Sequence, residues 1–151
     1  MKAGNKMKKI VLIIALTLSV FANDIIVKDS SCSVKETVAK IRNIVEKKGL
    51  NVFAIINHSG NAKMVGMKLE KSIMVIFGNP KLGTALMQQD MTVGLDLPLR
   101  ILVYEDKEGN VKMAYRDGTW LETKHILNRP KLVAKVNKGM DKITTKAGIC
   151  R

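Results

Sequence analysis

His58 and His125 are the only two imidazoles in this 151-residue chain, so any acid–base chemistry must be built around them. His58 stands in Asn57-His58-Ser59-Gly60, directly after a β-rich run, at the kind of strand end where ligand-binding and catalytic side chains are placed. As a general base it needs a proton-relay partner, and the sequence offers Asp96 or Tyr115. His125 follows Trp120-Leu121-Glu122-Thr123-Lys124 and reads as a helix-end residue. Gly78-Asn79-Pro80-Lys81-Leu82-Gly83 runs from a strand into a helix start, where free amides and a lysine can hold an anion. It lacks both the Gly-Lys-Ser/Thr of a P-loop and the Gly-x-Gly-x-x-Gly of a dinucleotide fold. Asp96-Leu97-Pro98-Leu99-Arg100 is a second turn leading into a strand, with a carboxylate and its counter-ion available.

Sulfur offers two further chemistries. Met64-x-x-Met67 and Met87-x-x-x-Met91 have helical spacing, and thioethers suit Cu(I), which makes copper binding the weaker alternative to ordinary core packing. Cys32 and Cys150 are an even pair that can form a disulfide joining the two ends of a domain in an oxidising compartment; the competing readings are a redox-active thiol, without a Cys-x-x-Cys, or two unpaired thiols. No metal-type Cys/His cluster, nucleophile elbow or catalytic carboxylate pair stands out, so neither a metal nor a cofactor is expected.

The compartment is readable at the N-terminus. Lys2, Lys6, Lys8 and Lys9 precede an apolar stretch from Ile10 to Leu18, and Val20-Phe21-Ala22 supplies small residues for cleavage. Residues 1–22 therefore read as a signal peptide, with Met1 or Met7 as the start, and the remainder as periplasmic or secreted. A membrane anchor is the lesser reading, because the run is shorter than the roughly 20 residues a span needs. Removing the leader takes four lysines and no acid from a formal charge of +13, so residues 23–151 stay strongly basic. Outside the inner membrane, that charge points to an acidic partner protein, a small anionic ligand or an anionic membrane surface. Nucleic acid is not expected: Phe53, Phe77, Tyr104, Tyr115 and Trp120 are too few for a base-stacking platform.

The elements that position these residues form one domain. Asp24–Lys28 has a strand-like centre, and Ser33-Val34-Lys35-Glu36 is a capping box opening a helix with Val34, Val38, Ile41 and Val45 on one face and Gly49 at its end. Residues 51–57 and 72–77 read as strands, with a short helix or Gly-punctuated loop over 58–69 between them. Pro80 opens a helix through Leu82 and Leu86 to about Met91. Residues 99–104 and 111–115 read as a hairpin turning at Gly109-Asn110, and 119–127 as one or two helical turns. From Pro130 to Ala147 an amphipathic helix sets Leu132, Val136, Met140 and Ile143 opposite Lys131, Lys135, Lys138, Lys142 and Lys146, the lysines spanning about 80° of arc. The order β-α-β-(α)-β-α-β-β-α-α, with its hairpin, favours a compact α+β domain over a doubly wound sheet.

Ser33-Val34-Lys35-Glu36-Thr37-Val38, Phe53 to His58 with Ala62, Phe77-Gly78-Asn79-Pro80-Lys81-Leu82-Gly83-Thr84, Leu95-Asp96-Leu97-Pro98-Leu99 and Tyr115, in that order, closely resemble the bacterial family called domain of unknown function 302. The resemblance covers roughly residues 33–125. It implies an α+β domain, an antiparallel sheet with helices packed on it, commonly a homodimer, and no established activity. It marks His58, Gly78, Asn79, Pro80, Asp96, Pro98, Tyr115 and His125 as candidates for a shared pocket. Two departures stand out: Asn57 replaces an acidic residue before the histidine, and Gly118 lies where a proline is usual. The first removes the neighbour that would set the His58 tautomer. The leading expectation is a non-enzymatic accessory domain that binds a small ligand or partner at the turns bearing His58, Asn79 and Asp96. The alternative is an enzyme or redox accessory using His58 with Asp96 or Tyr115 as acid and base.

Overall fold

A computed structural model describes residues 24–150; the leader expected over 1–22 lies outside them. Strands β1 (Ile26–Ser30), β2 (Asn51–Asn57), β3 (Ser72–Gly78), β4 (Leu99–Glu105) and β5 (Val111–Tyr115) form one sheet in the order β1-β5-β4-β3-β2, antiparallel at every pairing. Helices α1 (Val34–Lys47), α2 (His58–Met64), α3 (Pro80–Met87), α4 (Gly118–Lys124) and α5 (Pro130–Ala147) complete the α+β domain. The β4–β5 hairpin turns where expected. Asp106 accepts the Glu108 and Asn110 amides, and Gly109 takes a left-handed φ of 85° that a side chain would resist.

Strand alternation divides the sheet into two faces. Val75, Phe77, Ile101, Val103, Met113 and Tyr115 point to one side and are buried there by α1 and α5. The α1 stripe, Val34, Val38, Ile41 and Val45, is buried as its spacing requires, and the capping box closes with the Glu36 amide donating to Ser33 Oγ and the Ser33 amide to Glu36 Oε2. Helix α5 buries Val136, Met140 and Ile143 and exposes all five of its lysines, while Leu132 is only half-buried. On the other side, Ile56, Met74, Leu102, Ala114 and Val27 pair in register as an apolar row across all five strands. A second core of Leu86, Val93, Leu121, Leu127 and Val133 closes the end of the sheet where β4 begins.

Cys32 and Cys150 are joined in a disulfide, their Cα atoms 5.2 Å apart and 118 residues apart in sequence, so the staple holds and the two thiol readings do not. Three details differ from the expectation. The first strand begins two residues late. A 3-10 turn, Met91–Leu95, separates from α3 because the Asp90 side chain captures the Thr92 amide and starts a new cap. Core packing explains Met113 and Met140 but not Met64, Met67 or Met91, which are 84%, 67% and 72% exposed; α2 buries no residue at all, so Met64 at its end has no core to fill.

Candidate functional site

The residues with most polar chemistry in common gather where α4 meets the start of β4. Asp117 caps α4 by accepting the Trp120 amide, and Gly118 lets the first turn press on α5: a Cβ there would stand 2.7 Å from the Val133 carbonyl oxygen. Asn137 of α5 fastens the same turn by accepting the Thr119 amide and donating to its hydroxyl. These contacts fix Trp120 over the open face of the sheet, and the Arg116 guanidinium stacks on its ring, 4.2 Å from the centroid.

The chain leaves α4 extended at His125, whose side chain is 7% exposed. Its Nε2 lies 2.7 Å from Asp96 Oδ2 and its Nδ1 3.0 Å from Thr92 Oγ1. Thr92 in turn donates to Asp90 Oδ1 at 2.6 Å, and Asp90 Oδ2 accepts the Ile126 amide. The Thr92 hydroxyl, followed by the Ile126 and Thr92 amides, holds the Asp90 carboxyl below its ordinary value. Both ring nitrogens are engaged, so the imidazole ties the segment after α4 to the turn before β4 and has no free atom to offer a substrate. The second Asp96 oxygen faces Arg100 across 3.9 Å.

Beside this cluster a cleft of about 240 Å³ opens on the uncovered sheet face. Met74, Leu102 and Ala114 form its floor, Ile25 and Trp120 its sides, and Asp96, Arg100 and Arg116 its polar rim. Trp120 Nε1 is fully buried and finds no acceptor, the one such side-chain atom among the described residues. A buried donor without a partner costs about 1–3 kcal/mol, and with no accessible surface this one is not presented to the cleft.

The expected site residues divide among three places. Asp96 and Tyr115 border the cleft, Tyr115 also belonging to the buried core, and His125 stands behind Asp96. Gly78, Asn79, Pro80 and Pro98 line a separate apolar cavity of about 220 Å³ with Phe53 and Leu97. No anion cradle forms there: the Asn79 side-chain and backbone oxygens take the Leu82 and Gly83 amides, and Pro80 brings none. His58 begins α2 at the far end of β2. Asn51 pairs with Gly78 and His58 follows Asn57, so roughly 20 Å of strand separates His58 from the Gly78 and Asp96 end. The joint site of His58, Asn79 and Asp96 is therefore not assembled, nor is a His58–Asp96 relay. Sequence reasoning passed over Thr92, Asp90, Arg116 and Trp120. The available signal was weak: Arg100 and Leu102 alternate with the buried Ile101 and Val103, which already placed Arg100 on the open face.

The Domain of unknown function DUF302 family model matches residues 26–147. Two curated relatives, Fluoride-specific ion channel FluC 1 of Brucella suis biovar 1 (strain 1330) and of Brucella abortus biovar 1 (strain 9-941), are each 37% identical over 127 residues. Those matches cover 84% of this chain but 50% and 47% of the relatives, so the chain spans about half their length. Among the described residues no helix is long and apolar enough to cross a membrane. The crystal structure of uncharacterized conserved protein DUF302 from Bacillus stearothermophilus superposes with a TM-score of 0.67 at 19% identity, covering 84% of this chain and 97% of that one. The fold is thus shared with that structure, and the chain belongs to the domain of unknown function 302 family.

Proposed function

We propose that the chain is an exported, non-enzymatic binding domain whose ligand site is the cleft bordered by Asp96, Arg100, Arg116 and Trp120. The observation that carries this reading is the Arg116 guanidinium, stacked on Trp120 and without a carboxylate partner among the described residues, at the rim of an apolar-floored cleft. Its framework argues against acid–base turnover there, because His125 spends both ring nitrogens on Asp96 and Thr92. Export is supported by the leader-like residues 1–22 and by the Cys32–Cys150 bridge, which suits an oxidising compartment. The channel activity in the Brucella relatives' names belongs to proteins about twice as long; a cleft of about 240 Å³ is built for something larger than a halide.

Native mass spectrometry of unreduced protein from its own host tests the reading. It predicts a chain lacking residues 1–22, with the disulfide closed and a bound small molecule that is lost in Trp120→Ala. An intact leader removes the export claim. Wild type with no added mass, refractory also to small-molecule probes of the cleft, removes the binding claim.

A further inference from the structure

We infer that the ligand of this cleft carries an oxyanion, a carboxylate or phosphate ester, on a short apolar body; this rests on the binding reading above. Two guanidiniums converge on the cleft with little else to satisfy them. That of Arg116 lies over the Trp120 indole ring and has no carboxylate within 4 Å among the described residues. Arg100 reaches the rim from β4 and has only a long 3.9 Å approach to Asp96 and a 3.4 Å contact with the Leu95 carbonyl. A guanidinium presents a planar fork of donors suited to two-oxygen groups, and stacking on an aromatic ring holds that plane in place without using its N–H groups.

Asp96 is the one acidic group in the lining. His125 holds one of its oxygens at 2.7 Å, and against its single negative charge the lining sets two guanidiniums, Arg100 and Arg116. The other half of the ligand follows from the floor. Met74, Leu102 and Ala114 offer apolar surface and no hydrogen-bonding side chain, so a bare inorganic anion would leave that surface wet. A small volume of about 240 Å³ limits the body to a short chain or single ring.

Isothermal titration of the oxidised, leader-less chain with hexanoate, hexyl phosphate, hexanol and hexylammonium tests the assignment. Hexanoate or hexyl phosphate should bind at least about tenfold tighter than hexanol, with hexylammonium weakest, and whichever anion binds better names the source. Arg116→Met should lower anion affinity about tenfold and leave hexanol unchanged. Because Arg116 is exposed, the variant should keep its fold, and Arg100→Met serves as an independent second. If hexanol and hexylammonium bind as tightly as the anions, the oxyanion assignment is overturned while the cleft stands. If none of the four binds at millimolar concentration, both fall.

Discussion

Substituting alanine for glycine at two positions should move stability in opposite directions, and the structure supplies both signs. A Cβ on Gly118 would stand 2.7 Å from the Val133 carbonyl oxygen, 2.8 Å from Asn137 Oδ1 and 3.1 Å from Val136 Cβ. The first of these is backbone in the middle of α5's first turns and cannot swing aside, so α4 must lift. Overpacking of this kind costs about 1–3 kcal/mol, and the helix-propensity gain is small at the first residue of a helix. Gly139, by contrast, lies inside α5 with nothing within 4 Å of its Cβ position. Alanine there removes backbone entropy from the unfolded chain and should stabilise by about 0.5–1 kcal/mol. At about 4 °C per kcal/mol for a domain of this size, Gly118→Ala should lower the thermal midpoint by about 4–12 °C and Gly139→Ala raise it by about 2–4 °C. Circular dichroism melts under non-reducing conditions read both. Because Gly118 sets the height of α4 over the sheet, the same substitution should shift the Trp120 emission. A Gly118→Ala protein as stable as wild type, with unchanged emission, would refute the claim that close α4–α5 contact positions the indole.

Reducing the Cys32–Cys150 bridge, or replacing both cysteines by serine, should cost up to about 4.7 kcal/mol in denaturant titrations, because it closes a loop of more than 100 residues; an unchanged midpoint would contradict the staple. His125→Ala should cost about 1–3 kcal/mol by leaving Asp96 and Thr92 without their shared partner in a site that is 7% exposed, and crystallography should find the turn before β4 displaced. Ser33→Ala, which opens the capping box of α1, should cost about 1 kcal/mol. Asp90 and Glu36 both ionise below their ordinary values of 3.8 and 4.5. Their contribution is therefore whole above those values and is lost as pH falls through the lower folded ones. Acid unfolding of Asp90→Asn should show a shallower stability loss below about pH 4 than wild type, and identical acid limbs would remove Asp90 from the account.

Elements with a strong periodic signal were legible in the sequence. The α1 stripe of Val34, Val38, Ile41 and Val45 repeats at helical spacing behind a complete capping box, and the lysine-sided α5 has an equally clear polar face. The hairpin was readable from the Gly109-Asn110 turn between two apolar runs. What failed was assembly. Turn residues such as His58, Asn79 and Asp96 look alike in sequence, and only strand pairing places His58 at the opposite end of the sheet from the other two. The methionine argument failed similarly, since spacing in Met64-x-x-Met67 says that two side chains can share a face without saying that anything packs on it. Trp120 and Arg116 were not legible because what marks them is a stacking contact between a strand end and a helix, which leaves no sequence pattern.

Trp120 is the only tryptophan in the chain, so its indole N–H gives a single, unambiguous cross-peak in a ¹H–¹⁵N spectrum. Titrating hexanoate into the oxidised protein while following that peak tests the central claim most directly. The account predicts a saturable shift of that peak as the anion settles on Arg116 beside the indole ring, and no such shift on adding hexylammonium. An indole resonance that stays fixed while hexanoate binds elsewhere, or that moves equally for the cation, would contradict it.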